Sequence, residues 1–460
     1  MTIVICKRMG PTQNLGIAPV VRDSDVLVDA LTWGTKWFNP RGGALIIPVS
    51  IYSPTGDSAG VYVPNAAEIA AFKSVLETYS HYINVTFTFD QSGSAGVQGI
   101  RFVIGKNGAV GTLGFTQPPG QTNFNGVPYS DIIIYRDNYL SDRNSPVNVG
   151  GADFATYLHE LGHGLGLAHP HDHGGANGSP SSIFPGVTMT TGSLGFFDLN
   201  QGINTIMVYN DGWVKGPLGP PPSLDYGVQA TPMALDILTL QKLYGPNLSY
   251  HLGDDTYALS TSHGGYSCIW DAGGHDTLAG AATLSNVIDL RAATGLVATG
   301  GGGFVSYVQG IYGGYTIAAG VIIESAMGGN LSDVITGNAT DNHITGGGGA
   351  DILTGGAGQD SFIYNSVSDS NSSAFDTVTD FTDGVDRFDF SLMDANVTAF
   401  GDQAFTFLGE ASGFSAAAQI RVVYSGSDTL VYATINSDPA PEFCLKLLGH
   451  HVLSSSDFIL

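Results

Sequence analysis

Apolar residues recur along this chain in two patterns, and each predicts a different kind of β structure. Mostly apolar runs at residues 100–104 and 131–135 are typical of buried strands in a mixed α/β region. In residues 328–363, apolar residues instead return every nine positions, at Ile335, Ile344, Leu353 and Phe362. The chain is therefore predicted to begin with a mixed region and to continue into a repetitive all-β region.

The nine-residue period follows the template Gly-Gly-x-Gly-x-Asp-x-U-x, where U is a large apolar residue, as in calcium-binding β-rolls. Two units should make one turn, which places Asp333 opposite Asp351 across one Ca²⁺ and Asn342 opposite Asp360 across another. The neutral Asn342 predicts a weaker second site. A flexible Gly-rich linker is the alternative, but it would not need a fixed period. The predicted calcium ligands are Gly328, Asn330, Asp333, Gly337, Ala339, Asn342, Gly347, Gly349, Asp351, Gly356, Gly358 and Asp360.

A second motif reads His159-Glu160-x-x-His163-x-x-Gly166-x-x-His169. On a helix, His159 and His163 occupy one face and can bind one Zn²⁺. Gly166 permits the positive-φ turn that ends the helix, so that His169 returns as the third ligand. Glu160 is predicted to act as general base toward water at the open fourth position. A pair of core histidines is the alternative, and the added glycine and third histidine argue against it.

A methionine follows this motif at some distance, two residues before a tyrosine. Long zinc motifs of this kind are followed by a turn built on a methionine. Met207 is predicted to form an apolar floor under the three histidines. Tyr209 is predicted to be a zinc ligand in the resting enzyme, or a donor to the oxyanion of the transition state.

These motifs together resemble the metzincin clan and, within it, the serralysin family of secreted bacterial zinc metalloproteases. Residues 30–37, 64–87 and 230–245 also resemble segments of that family's catalytic domain. The resemblance implies an α+β metzincin catalytic domain, with a twisted, mostly parallel sheet and long helices, followed by an all-β parallel β-roll and β-sandwich domain. It implies a calcium-stabilised endopeptidase with one catalytic Zn²⁺ and several structural Ca²⁺ ions.

The resemblance also divides the chain. We expect a leader or short propeptide at residues 1–16, a catalytic domain at 17–247, and a calcium-binding RTX domain with a C-terminal secretion signal at 248–460. Segments near the domain junction and after the repeats resemble further calcium loops, although single Asp-Gly clusters are commonly only turns. The additional calcium ligands implied there are Gly253, Asp255, Asp271, Gly273, Asp276 and Asp369.

Composition restricts the partners. The chain has 40 Asp and Glu against 16 Lys and Arg, a net charge of −24, which argues against nucleic acid and anionic membranes and suits divalent cations. No stretch of 18 apolar residues predicts a stable membrane insertion. Protein or peptide substrates are expected for a monomeric enzyme, with a protein inhibitor as a further candidate partner.

The two ends of the chain carry different expectations for export. Residues 1–6 do not form the apolar core of a secretory signal. The last four residues, Asp457, Phe458, Ile459 and Leu460, resemble the export signal of type I secretion substrates, with a frayed strand end as the alternative. We therefore expect an extracellular protein that uses a type I secretion apparatus.

Three cysteines do not make a disulfide framework. Free buried thiols are expected at Cys268 and Cys444, with a bridge between them as the alternative. Cys6 lies where a propeptide thiol could block zinc, but serralysins generally lack that switch. The segment after His169 is longer than is usual for the family and contains His171 and His173, which we interpret as solvated loop residues rather than a second metal site.

Two other functional classes remain open at this point. The chain could be a calcium-binding or adhesion module with a degenerate enzyme domain, although its ligand set is complete. Zinc hydrolysis of a non-peptide substrate is not excluded by the ligands alone.

Overall fold

The computed structural model describes residues 15–20, 25–53, 60–90, 98–106, 108–109, 111–122, 126–138, 147–172 and 183–460. Residues 1–14 of the expected leader, with Cys6, lie outside the described residues, as does His173. Along the described chain, a region of helices and strands is followed by a region of strands and one short 3₁₀ helix.

The first region has four α-helices and nine strands among its described residues. The helices are α1 (Val26–Ala30), α2 (Ala66–Tyr82), α3 (Ala152–Gly164) and α4 (Ala234–Tyr244). The strands are β1 (Gly16–Pro19), β2 (Thr35–Phe38), β3 (Leu45–Ile51), β4 (Val61–Tyr62), β5 (Val85–Asp90), β6 (Gly99–Gly105), β7 (Gly114–Thr116), β8 (Gln121–Thr122) and β9 (Pro128–Tyr135). Short 3₁₀ helices occur at Arg136–Asn138 and Phe196–Asp198.

The main sheet of this region has the strand order β5-β3-β6-β9-β7, and its first four strands in this order run parallel. Strand β7 is antiparallel to β9 and forms one edge. The two apolar runs of the sequence lie in β6 and β9, as predicted, and both strands are largely buried. Helices α2 and α3 cover the sheet, and Phe72 of α2 stacks on Phe102 of β6 with ring centroids 4.2 Å apart.

The second region consists of short strands. They are β10 (Thr256–Ala258), β11 (Tyr266–Ile269), β12 (Thr277–Ala279), β13 (Asn286–Asp289), β14 (Tyr307–Val308), β15 (Gly314–Ile317), β16 (Ser325–Met327), β17 (Val334–Thr336), β18 (His343–Thr345), β19 (Ile352–Thr354), β20 (Ser361–Ile363), β21 (Asp376–Val378), β22 (Arg387–Asp389), β23 (Thr406–Glu410), β24 (Gln419–Ser425), β25 (Asp428–Thr434), β26 (Phe443–Leu447) and β27 (Phe458–Ile459). A 3₁₀ helix, Ser455–Asp457, precedes β27.

Two parallel sheets wind into a roll. One has the order β10-β12-β16-β18-β20-β22-β27, and the other contains β13-β17-β19-β21. Val334 pairs with Ile352, and His343 pairs with Ser361, so partners in each sheet are eighteen residues apart. This register confirms that two nine-residue units make one turn. The four U positions are at most 1% exposed and fill the space between the sheets.

The roll is longer than the repeat that is visible in the sequence, since strands on both sides of residues 328–363 continue its two sheets. It closes on the antiparallel strands β24, β25 and β26, which extend the second sheet. Near the C-terminus β27 pairs with β22, so Phe458 and Ile459 lie in a strand.

Cys268 and Cys444 are buried and unpaired, which confirms the expectation of free thiols there. Among the described residues, no helix has the length and apolarity that crossing a bilayer requires.

Candidate active site

Helix α3 positions the first two histidines. It buries Phe154, Leu158 and Leu161 against the sheet and ends at Gly164. Gly166 then adopts φ +101°, and a Cβ there would lie 2.5 Å from the carbonyl oxygen of Thr35. Only glycine fits such a turn without strain. The chain therefore reverses at the predicted position.

The reversal brings three imidazoles together. His169 Nε2 lies 3.0 Å from His159 Nε2 and 3.1 Å from His163 Nε2. Zinc–nitrogen bonds of about 2.0–2.1 Å in a tetrahedral site separate two nitrogens by roughly 3.3 Å. The three nitrogens are therefore close to the spacing that one zinc ion requires.

The proton positions on these rings follow from their other nitrogens. His159 Nδ1 lies 2.8 Å from the carbonyl oxygen of Ile206, and His163 Nδ1 lies 2.9 Å from that of Leu167. A carbonyl oxygen only accepts, so each Nδ1 carries the proton and each Nε2 presents a lone pair. Lone pairs that converge without a shared proton repel one another unless a cation lies between them. The donor set thus fits a metal ion.

Burial keeps both helix histidines neutral. Burial and, next, the neighbouring His169 lower the pKa of His159 to about 3. Burial also lowers the pKa of His163 well below its ordinary value. His169 is oriented by Asp172, whose Oδ2 accepts from His169 Nδ1 at 2.8 Å. A histidine that donates to a carboxylate is a more basic metal ligand.

Glu160 lies beside the three histidines and is held by strand β7. The Thr116 hydroxyl donates to Glu160 Oε2 at 2.6 Å. The Glu160 side chain lies across Gly114, where a Cβ would come within 2.6 Å of Glu160 Cδ. Burial raises the pKa of Glu160 to about 7, and the hydrogen bond from Thr116 opposes that rise. Sequence reasoning missed Gly114 and Thr116, because no spacing links them to the zinc motif.

Met207 and Tyr209 both lie near the histidines. Met207 is fully buried, and its Sδ lies 2.9 Å from the place of a Cβ at Gly162, within the helix turn that joins the two histidines. The Tyr209 hydroxyl lies 3.0 Å from His169 Nε2, and burial raises its pKa to about 12. Both side chains therefore lie close to the histidines, and their predicted roles toward a metal stay predictions.

A residue without a predicted role, Asp236 at the start of α4, connects that helix to the methionine turn. It is completely buried and accepts hydrogen bonds from the Thr205 hydroxyl and the Ile206 N–H at 2.6 and 2.7 Å. It also accepts the N–H of Met233 at 2.9 Å and so caps α4. Because Ile206 in turn accepts from His159, Asp236 supports a candidate ligand indirectly. The sequence feature that could have identified Asp236 is an acidic residue in an otherwise apolar helix start.

His171 lies at the opening of the site. Its ring stacks on that of His169 with centroids 4.8 Å apart and lies 5.0 Å from that of Tyr209. His169, His171 and Asp172 are close enough to form a second metal group. Because Asp172 already accepts from His169 Nδ1, we keep the interpretation of His171 as a loop residue rather than a ligand of a second metal.

The predicted calcium residues line two polar ladders along the roll. Each ladder residue directly precedes or begins a strand, and along each ladder a carboxylate oxygen accepts the N–H of the ladder residue one turn earlier. The first ladder is Asn286, Asp333, Asp351 and Asp376. The second ladder contains Asp255, Asp276 and Glu324, and then Asn342, Asp360 and Asp386. Sequence reasoning missed four ladder residues that precede or begin strands outside the regular repeat, namely Asn286, Glu324, Asp376 and Asp386.

These ladders concentrate buried negative charge. Asp351 and Asp360 are each 1% exposed, and one oxygen of each has no hydrogen-bond partner among the described residues. Burial, followed by the charges of Asp333 and Asp369, raises the pKa of Asp351 to about 7. Burial likewise raises the pKa of Asp360 to about 6. Buried carboxylate oxygens of this kind fit a divalent cation.

The predicted turn residues divide into three groups. Positive φ occurs at Gly347 and Gly349 of the third nine-residue unit and at Gly356 and Gly358 of the fourth. Gly328 and Gly337 lie against the side chains of Asp333 and Asn342, with no room for a Cβ. Asn330 and Ala339 are exposed in the turns.

The junction residues also come together. His251 Nδ1 lies 3.0 Å from Asp255 Oδ2 and 4.0 Å from Asp271 Oδ2, and the three residues form a candidate metal group. Exposed Gly253 and Gly273 lie in the turns beside them, and Asp276 belongs to the second ladder. Asp369 accepts the N–H groups of Asn365 and Ser366 in a turn.

Known proteins resemble this chain over most of its length. The model of the peptidase M10 serralysin C-terminal family matches residues 236–460. Serralysin C of Dickeya chrysanthemi is 31% identical over 433 residues, which cover 89% of this chain and 82% of that protein. Serralysin G of Dickeya chrysanthemi is 33% identical, with coverage of 80% and 76%. Metallopeptidase AprA of Pseudomonas marginalis is 33% identical, with coverage of 71% and 68%. The chain therefore belongs to the serralysin family and is a zinc metalloendopeptidase.

Proposed function

We propose that this protein is a secreted, calcium-stabilised endopeptidase whose zinc ligands are His159, His163, His169 and, in the resting enzyme, Tyr209. The observation that carries the proposal is the convergence of three unprotonated Nε2 atoms beside Glu160. The α+β region would then be a metzincin catalytic domain, with its boundary near residue 247 and the calcium domain after it.

His159, His163 and His169 would hold a Zn²⁺ ion, which would supply Lewis-acid polarisation of water and of the scissile carbonyl. Glu160 takes the proton of the attacking water on its carboxylate and later delivers it to the nitrogen of the departing amine. The hydroxyl of Tyr209 donates a hydrogen bond to the carbonyl oxygen as negative charge develops there. Water is thereby divided between the two products, with the hydroxyl on the acyl fragment and the proton on the amine.

Strand β7 supplies a surface for the substrate. It pairs with β9 on one side and lies at the sheet edge, with no partner strand on its other side among the described residues. An extended peptide that adds to this edge would pass directly over Glu160, which lies against Gly114 of the same strand. Sheet addition binds peptides through backbone groups and therefore suits protein substrates of varied sequence.

The two ladders support calcium binding outside the cell. In a calcium-poor cytosol their buried carboxylates repel one another and oppose folding of the roll. Calcium would neutralise them and contribute its binding free energy to folding after export. Export through a type I apparatus, with Asp457 to Leu460 as the signal, completes the proposal, and protein inhibitors remain candidate partners.

The central test replaces Glu160 by Gln, which keeps the shape and removes the base. We expect turnover of a quenched fluorescent peptide to fall by about 10²–10⁴-fold. Zinc content, measured by mass spectrometry of the metal, should stay near one ion per chain. The matched control is Glu77→Gln on the exposed surface of α2, which should retain full activity.

Zymography with and without a zinc chelator separates the other functional classes. A chelator-sensitive clearing of casein supports the endopeptidase. Absence of clearing by the intact, zinc-loaded protein would favour a calcium-binding module. Full activity of Glu160→Gln would remove that residue from the mechanism.

A further inference from the structure

A cavity of about 460 Å³ extends from the catalytic residues into the protein. Its walls come from helix α3, from the segment before strand β7, and from the chain that follows the methionine turn. His159, Glu160 and Tyr209 lie at its catalytic end, and Asp211 and Gln229 also line it. The cavity can therefore receive the side chain of a substrate residue next to the scissile bond.

Asp211 gives this cavity a negative charge. Asp211 is exposed to solvent. Among the described residues, its carboxylate has no hydrogen-bond or ion-pair partner. No Lys or Arg is found among the described residues that line the cavity. Among the described lining residues, no basic side chain therefore neutralises this charge.

Gln229 provides a second, independent feature of the same cavity. It is 1% exposed, and its Oε1 atom has no hydrogen-bond partner among the described residues. The side chain is confined, because a Cβ at Gly202 would lie 2.8 Å from Gln229 Cδ. A buried amide oxygen without a donor is costly unless a ligand supplies one.

We propose that this cavity selects a basic substrate side chain, Arg or Lys, at a position flanking the scissile bond. The Asp211 carboxylate would pair with its charge, and Gln229 Oε1 would accept one of its N–H groups. Arginine suits the pair best, because its planar guanidinium offers several N–H donors to two acceptors at once. The proposal rests on the peptidase function and names the substrates that the site prefers.

The first test is cleavage of a peptide library by the full-length, metal-loaded enzyme. Arg and Lys should be enriched at one position beside the cleaved bond. Matched peptides then carry Arg or citrulline at that position, which differ in charge but not in shape. We expect kcat/KM to favour Arg by about tenfold, as a charge-assisted hydrogen bond of about 1.5 kcal/mol implies.

The Asp211→Asn variant should bring the ratio of Arg to citrulline to within about twofold. Asp225→Asn is the matched control, because Asp225 is an exposed carboxylate that does not line the cavity, and it should leave the ratio unchanged. A wild-type enzyme that cleaves both peptides equally, or an unchanged ratio in Asp211→Asn, would overturn the proposal while leaving the peptidase intact.

A binding measurement makes the test independent of turnover. Fluorescence anisotropy of the labelled Arg and citrulline peptides is measured on Glu160→Gln and on Glu160→Gln with Asp211→Asn. Glu160→Gln should bind the Arg peptide about tenfold more tightly than the citrulline peptide. The double variant should bind the two peptides with equal affinity. If no peptide is cleaved by the wild type, the peptidase proposal fails, and equal binding of the two peptides would then also overturn the pocket.

Discussion

At the scale of single residues, the site depends on a glycine as much as on its charged groups. Glu160 occupies the space that a side chain at position 114 would need, and Thr116 two residues later donates to its carboxylate. The base is thus located by contact with the substrate-binding strand. This arrangement couples the position of the general base to the edge where a peptide would bind.

The Gly114→Ala variant should displace Glu160, because the new Cβ would lie 2.6 Å from its Cδ and Cγ. We expect kcat to fall by about 10²-fold or more, since a misplacement of roughly 1 Å has that effect. Zinc content should remain near one, because the histidines are untouched. Steady-state kinetics and metal analysis provide the two readouts.

Gly413→Ala serves as the control, because a Cβ there meets nothing within 4 Å. It should keep full activity. Wild-type kcat in Gly114→Ala would show that the contact does not position the base.

At the scale of elements, the methionine turn and helix α4 form one unit through Asp236. Its carboxylate accepts three hydrogen bonds from residues 205, 206 and 233, and these segments are not adjacent in sequence. The turn then supports His159 through the carbonyl of Ile206. The geometry of the metal site is therefore connected to the start of a helix on a different part of the chain.

Asp236→Asn should destabilise the protein by about 1–3 kcal/mol, because the amide places N–H groups against donors that need an acceptor. Zinc affinity should also fall, since the turn that orients His159 loosens. Chemical denaturation and zinc titration measure the two effects. The exposed Asp402→Asn should change neither quantity. Unaltered zinc affinity in a destabilised Asp236→Asn would separate the fold from the metal site.

At the scale of the whole molecule, the excess of acidic residues can be related to one part of the structure. Much of the negative charge that matters for folding lies in the two ladders, where it is buried along the length of the roll. The U residues stabilise the roll by burial, whereas the ladders destabilise it until cations bind. Stability of the second region should therefore depend on calcium.

Chelation of calcium should lower the thermal midpoint, and Asp351→Asn should reduce the rise that calcium produces. The Asn side chain can still accept the N–H of Asp333, so the substitution mainly removes charge. A tenfold weaker site corresponds to about 1.4 kcal/mol, or about 3–6 °C in the midpoint. Calorimetry over a calcium series measures the shift.

The neighbouring Asp341→Asn is a close control. Asp341 is exposed and accepts an N–H eighteen residues later, from Gln359, but it does not belong to a ladder. It should retain the full calcium response. A midpoint that does not respond to calcium would refute the role proposed for the ladders.

The sequence by itself was sufficient wherever chemistry is encoded by short spacing. The i, i+4 histidines, the turn at Gly166 and the nine-residue period all place neighbours along one helix or one roll, so local geometry determines the outcome. The family also followed from these motifs. Two inner strands of the sheet, β6 and β9, were also predicted, because buried parallel strands are rich in apolar residues.

Only the tertiary structure decided which distant residues support that chemistry. Gly114 meets Glu160, Asp236 meets the methionine turn, and Asp211 shares a cavity with Gln229. No periodicity connects these partners, since they lie on separate elements that sheet packing and loop closure bring together. Motif spacing specifies the reacting groups, whereas three-dimensional packing determines how firmly they are held and which substrate side chain can reach them.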